Sequence, residues 1–403
     1  MPAKAHFHPS DLRAASRLAI DAVVGITDLV EAMHHNIASA SMPLGKPPGG
    51  SPNGITGLAY RTVRGVTRLV GGGIDIALAP LAALLEARES SSARDAVVAA
   101  LNGVLGDYLA ETGNPLAVSM QWRSKGKTLA AEKTALLAAL PKVSGKVLVL
   151  VHGLCMSDQQ WLRAGHDHGS ELARDLGYTP VYLRYNSGLH ISANGREFAA
   201  MLESLIASWP VPVDDLVILT HSMGGLVARS AHHYAKIAGH HWPEQLRSLV
   251  FLGTPHHGAP LERGGHWVDT ILGVSPYTAP FTRLGKIRSA GITDLRFGDL
   301  RDEDWQGHEQ HKRAKAARHA LPLPAATICY AAAATTGEKQ GDLNDRILGD
   351  GLVPVPSALG QHANPALDLA IPADRQWVGY GMNHMDLLSS VDVYARIKQW
   401  LSP

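Results

Sequence analysis

Cysteine is scarce in this chain. Only Cys155 and Cys329 occur in 403 residues. A disulfide framework is thereby excluded and a reducing compartment fits, with a single bridge left open. There is no excess of charge of either sign, since Lys+Arg number 37 and Asp+Glu 36. So even a balance offers no electrostatic footprint for nucleic acid, and no nucleic-acid partner is expected. Long hydrophobic runs are missing too. The most apolar stretch, Val70 to Leu85, carries Asp75, Pro80 and three glycines. It falls short of the ~20 residues a membrane-spanning helix needs. The opening residues, Met-Pro-Ala-Lys-Ala-His-Phe-His, lack the apolar centre of a secretory signal. These features predict a cytoplasmic protein, with a peripheral position at a membrane or lipid surface as the alternative. No internal repeat stands out. What the chain does have is length: enough for one large domain or two, with a substantial buried core.

Three helical periodicities occupy the first quarter. Ser10-Asp11 is a fitting N-cap for the first, in which Leu12, Ala15, Ala19, Ala22, Ile26, Val30 and Met33 recur on one face. A Pro/Gly linker follows over residues 41–54. The second runs through Val63, Val66, Val70, Ile74, Leu78, Leu81 and Leu85, and is weakened at Gly71-Gly-Gly73. The third, through Val97, Leu101, Val104, Leu105 and Tyr108, stops near Gly113. Residues 1–113 thus read as a helical domain or arm. Its apolar stripes pack on each other or on the rest of the chain; the alternative is an interfacial surface that touches lipid.

From residue 114 the rhythm changes. Residues 116–129 read as a hairpin turning at Lys125-Gly126. Lys146–Val151 is an apolar run suited to a strand covered on both faces, and it ends in His152-Gly153-Leu154. Pro180–Tyr185 is a strand and Asn194–Trp209 a helix with Phe198, Leu202 and Ile206 on one face. Leu216–Leu219 is a buried strand that runs into a tight turn with Ser222 at its apex, Gly224 and Gly225 behind it, and a helix beyond. Leu246–Leu252, Ala326–Ala331 and Trp377–Tyr380 are further strands, and Val391–Leu401 a closing amphipathic helix. Strand, helix, strand repeated in this way predicts an α/β fold with a mostly parallel central sheet. Residues 261–321 interrupt the pattern and read as a cap or lid insertion.

Three loop positions carry the chemistry. A serine on a sharp strand-to-helix turn projects its Oγ clear of its own backbone, and the helix behind it aims free N–H groups and a positive dipole end at the same place. Asp350 sits in a Gly-Asp-Gly turn, with Asp342 and Asp345 nearby as alternatives. His384 follows the last strand. Cys155, beside Leu154, is a competing nucleophile by residue type, but no motif frames it. The pairs His166/His168 and His308/His311 form no ligand set with tetrahedral spacing, so no metal is expected.

The pieces V-H-G-L at 151–154, T-H-S-M-G-G at 220–225, L-G-T-P-H-H-G at 252–258, G-D-G-L-V-P at 349–354 and N-H-M-D-L-L at 383–388 together resemble the α/β-hydrolase superfamily. The likeness is to bacterial lipases and esterases, including the lipase-like group related to the GPI inositol-deacylases, and covers roughly residues 115–403. Thr220 departs from the glycine usual two residues before the serine. The order Ser222, Asp350, His384 is the order of that superfamily. The resemblance implies a Ser222–His384–Asp350 triad, an oxyanion hole from the N–H groups of Leu154 and Met223, and no cofactor. It implies a small-molecule ester or lipid as substrate. A thioesterase, amidase or polyester depolymerase on the same triad is an alternative. An alternative of another class is a non-catalytic protein that binds lipid surfaces through the N-terminal helices.

Overall fold

The β-branched runs that read as doubly covered strands form the centre of the molecule. The computed structural model describes residues 92–259, 289–307, 321–339 and 349–402. Within them lie eight strands: β1 (Gln121–Ser124), β2 (Lys127–Leu129), β3 (Lys146–Val151), β4 (Thr179–Arg184), β5 (Asp215–His221), β6 (Leu246–Leu252), β7 (Ile328–Thr335) and β8 (Gln376–Tyr380). They make one sheet in the order β2-β1-β4-β3-β5-β6-β7-β8. Strands β3 to β8 are parallel; the hairpin β1–β2 joins antiparallel at the β4 edge. The mostly parallel α/β sheet expected from the sequence is therefore present, and the hairpin turns at Lys125 and Gly126, both with positive φ.

Helices of seven residues or more among the described residues are α1 (Ser92–Glu111), α2 (Lys133–Ala139), α3 (His168–Leu176), α4 (Ile191–Ala207), α5 (Met223–Ala238), α6 (Ala290–Phe297) and α7 (Val391–Leu401). Because side chains alternate along a strand, β3, β5 and β6 serve two cores at once. Leu148, Leu150, Val217, Leu219, Val250 and Leu252 pack with Leu172 of α3 and Val393 and Ile397 of α7. The alternate residues Val147, Val149, Ile218 and Phe251 are equally buried, on the face where α5 packs against β5 and α4 against α5. Burial on both sides explains why these strands read as continuous apolar runs.

The residues of helix α1 from Asp95 onward belong to the same compact unit as the sheet. The physical reason is a buried charge cluster. Asp95 accepts from Arg184 of β4 at 3.1 Å and from the Gln159 amide, while Arg123 of β1 donates to Asp158 at 3.3 Å. Burial pushes the Asp158 carboxyl up, against the pull of Arg123 and Arg184. Residues 1–91, with the first two helical patterns and the linker, lie outside the described residues. So do 260–288 and 308–320 of the cap insertion, including His308 and His311. Of that insertion, α6 is described, and it packs on the sheet unit: Ala259 donates to Leu295 O and Gly291 to Gly188 O. No helix among the described residues is long and apolar enough to cross a membrane.

Candidate active site

Strand β5 delivers Ser222 to the sheet's C-terminal edge in a backbone state that few residues adopt. Its φ is 53° and its ψ −125°. Such a conformation costs on the order of 1–3 kcal/mol and persists where the surroundings over-determine it. They do so here. The Ser222 N–H donates to Leu252 O of β6 at 2.8 Å. A Cβ on Gly224 would lie 2.5 Å from Val151 O, and one on Gly225 2.1 Å from Thr254 Oγ1. Only glycines let α5 start this close to the ends of β3 and β6. Thr220 also acquires a reason: it is fully buried, and its hydroxyl donates to Val250 O on the neighbouring strand at 3.0 Å.

The loop after β3 lies against the serine. A Cβ on Gly153 would stand 3.0 Å from Ser222 Cβ. Leu154 follows Gly153 directly, and Met223, next to Ser222, is the first residue of α5. First-turn amides such as that of Met223 have no acceptor within the helix. His152 stiffens the loop. Its Nδ1 donates to Gly153 O at 2.8 Å, its ring stacks on Tyr185 at 4.3 Å, and the Tyr185 hydroxyl donates to His152 O at 2.8 Å. Burial lowers the pKa of His152 to about 3, so the ring is neutral. Cys155 is buried, and burial pushes its thiol up to about 12, leaving it protonated and ill suited to nucleophilic work.

Asp350 and His384 meet. His384 Nδ1 lies 2.6 Å from Asp350 Oδ2. The other carboxylate oxygen accepts from Leu352 N at 2.9 Å and Val353 N at 2.8 Å. A Cβ on Gly349 would fall 2.1 Å from Val353 O, so the Gly-Asp-Gly turn closes only with glycine there. His384 opens a short 3-10 turn that Asn383 caps through Met385 N at 2.9 Å, while Asp386 accepts from Asn383 N at 2.8 Å. The His384 ring occupies space that Gly253 leaves: a Cβ there would come within 2.9 Å of His384 Cε1. Leu252 and Gly253 thus receive Ser222 on one side and His384 on the other. Asp342 and Asp345, the alternatives to Asp350, lie outside the described residues.

Ser222 Oγ and His384 Nε2 are buried without a hydrogen-bond partner, as are the nearby His221 Nδ1 and Thr254 Oγ1. The first two are the atoms that a serine nucleophile and its base would join. A buried unsatisfied polar group costs about 1–3 kcal/mol, and such groups gather where function demands them. Contacts of this kind are commonly loose without substrate and tighten in the complex.

His221, the second residue of T-H-S-M-G-G, braces His384. Its Nε2 donates to the backbone O of His384 at 3.2 Å, and the two rings lie 4.7 Å apart. Burial, with the nearby His384 ring, keeps His221 well below the ordinary imidazole range. The signal available was a histidine at the end of an otherwise apolar strand. His168 acts similarly: Nε2 donates to Leu387 O at 2.9 Å and Nδ1 accepts from His166 at 2.8 Å. The His166/His168 pair is thus used structurally. Among the described residues no group of three His, Cys, Asp or Glu side chains is arranged to hold a metal ion.

Residues 142–320 match a family model described as a PGAP1-like alpha/beta domain. No curated protein matches the sequence. In three dimensions the chain is similar to the mature lipase BlEst2 of Bacillus licheniformis, at 19% identity and a TM-score of 0.42, over 65% of this chain and 94% of that one. It is also similar to the RedJ thioesterase of the prodiginine pathway in Streptomyces coelicolor, at 14% identity and a TM-score of 0.34, over 64% and 91% of the two chains. A third is the phospholipase PlaB of Legionella pneumophila, at 15% identity and a TM-score of 0.34, over 53% and 46%. Residues 142–320 are thus similar to a PGAP1-like alpha/beta domain, and the described residues form a mostly parallel α/β sheet.

Proposed function

We propose that the chain hydrolyses carboxylic esters through an acyl-enzyme on Ser222. The observation that carries this reading is the His384–Asp350 contact at 2.6 Å with His384 Nε2 and Ser222 Oγ both left buried and unbonded. Asp350 accepts from Nδ1, which fixes the proton there and leaves Nε2 as the basic atom. Nε2 takes the Ser222 proton as Oγ adds to the ester carbonyl. The carbonyl oxygen becomes an oxyanion between the N–H groups of Leu154 and Met223. The imidazolium then gives its proton to the leaving alcohol, and water repeats the cycle to free the acid. Asp350 stabilises the imidazolium without taking the proton.

The test uses p-nitrophenyl esters of graded chain length, with Ser222→Ala as the paired variant. Loss of kcat on the order of 10⁶-fold is expected on removing the serine. A fluorophosphonate probe should label the wild-type chain on the peptide that carries Ser222 and leave the variant unlabelled. A panel of acyl thioesters and anilides assigns the leaving-group class. The absence of both turnover and labelling would refute the catalytic reading and favour a non-catalytic lipid-binding role.

A further inference from the structure

Helix α1 precedes the strand–helix alternation, yet its middle turn meets the loop that follows β3. A Cβ on Gly103 would stand 2.2 Å from Cys155 Sγ and 2.9 Å from both Cα and N of Cys155. The helix therefore lies against the backbone of that loop, and glycine is what allows the approach. Cys155 itself holds a φ of +57°. A non-glycine residue keeps that left-handed state only when its neighbours impose it.

The neighbours are identifiable. Cys155 N donates to Ser187 Oγ at 3.1 Å, and Cys155 Sγ lies 3.9 Å from Ala100 O of α1. The Ser187 loop is in turn seated on α1. Asn186 donates to Gly106 O at 2.9 Å, and a Cβ on Gly188 would fall 2.1 Å from Asn102 O. Ser289, at the start of α6, donates to Gly103 O at 2.7 Å. Cys155 directly follows Leu154. The peptide that carries the Leu154 N–H is thus bounded by Gly153, which abuts Ser222, and by a strained residue that α1 and Ser187 hold.

We propose that α1 is a positioning element for the oxyanion site: Gly103 and Ser187 hold Cys155, and through it the Leu154 N–H, at the place where charge develops on the substrate oxygen. This rests on the ester-hydrolysis reading, which makes that amide a donor. Neither residue touches substrate. Both act on the direction of one N–H.

The test compares four variants of the full chain in steady-state kinetics, with thermal melts and the rate of fluorophosphonate labelling beside them. Because loss of one oxyanion donor costs about 10²–10³ in kcat, Gly103→Ala should lower kcat by about 30-fold and Ser187→Ala by about tenfold. KM should stay within about twofold in each, since the interaction is made in the transition state. Cys155→Ala added to Gly103→Ala relieves the 2.2 Å clash with Sγ and should restore part of the loss. Leu109→Ala, in the same helix and fully buried, removes packing about 9 Å along the helix from Gly103. It should lower the melting temperature and leave kcat unchanged. If Gly103→Ala does not fold, Ser187→Ala decides alone. The proposal is overturned if the Gly103 and Ser187 variants keep wild-type kcat, or if Leu109→Ala loses as much kcat as they do. A wild-type chain that neither turns over an ester nor takes the probe would instead overturn the ester-hydrolysis reading beneath it.

Discussion

Asp350→Asn changes one atom and removes one charge, and the structure dictates which way the new amide faces. In the native site Oδ1 accepts from two backbone amides, Leu352 at 2.9 Å and Val353 at 2.8 Å, and Oδ2 faces His384 Nδ1 at 2.6 Å. Turning the asparagine NH₂ toward Leu352 and Val353 would set donors against donors, leaving buried groups unsatisfied at about 1–3 kcal/mol each. The NH₂ is therefore held toward His384. It donates, so Nδ1 has to accept, and the imidazole proton moves to Nε2. A protonated Nε2 cannot take the Ser222 proton. The expected loss in kcat is about 10⁴-fold, or about 5.4 kcal/mol of transition-state stabilisation, with the fold intact. Release of p-nitrophenol from a short-chain ester, read against Ser222→Ala as the floor, measures it. Retention of more than about a tenth of wild-type kcat would refute the tautomer argument. If Asp345→Asn proved the crippling change instead, the acid would have been misassigned.

Gly253→Ala should cripple activity more than stability, because its Cβ would meet His384 Cε1 at 2.9 Å and Leu387 Cδ1 at 2.7 Å at a positive φ; kinetics with a melt alongside separate the two. Thr220→Gly, which installs the residue usual at this place, should destabilise by about 2 kcal/mol through the lost bond to Val250 O and the added chain freedom, read by urea unfolding. Arg184→Met should cost about 3–5 kcal/mol, since it removes one of the two guanidinium groups in a buried cluster that holds the carboxylates Asp95 and Asp158. Acid should destabilise the fold through histidines that are neutral when folded. Burial lowers His152 to about 3 and His168 to about 4, and His221 and His256 also lie well below 6.5. Between about pH 6.5 and those folded values the unfolded chain binds more protons. Each such histidine then removes roughly 1.4 kcal/mol of stability per pH unit as pH falls. Unfolding free energies at pH 7 and 5.5 measure the slope, and His168→Gln should flatten it; a flat wild-type profile would refute the neutral-histidine assignment.

The centre of the sheet was plain in the sequence because strands covered on both faces leave an unmistakable trace. Lys146–Val151 and Leu246–Leu252 match β3 and β6 residue for residue. The loops of Ser222, Asp350 and His384 were legible because glycines and strand ends bracket them. The location of α1 was not. Periodicity reveals that Val97, Leu101 and Leu105 share a face, and is silent about what covers it. The partners that claim α1, Arg184 and Cys155, stand 89 and 52 residues away in sequence from Asp95 and Gly103. The departure at Thr220 was visible, but its bond to Val250 depends on strand register, which no single sequence displays. His221 escaped notice for a related reason: its acceptor, the His384 carbonyl, is 163 residues further on.

The backbone at Ser222 places activity and durability in opposition. Glycine is the residue most at ease at a φ of 53° and a ψ of −125°. A lineage released from selection for turnover would therefore gain robustness by losing its hydroxyl, and Ser222→Gly should melt higher than the protein it inactivates.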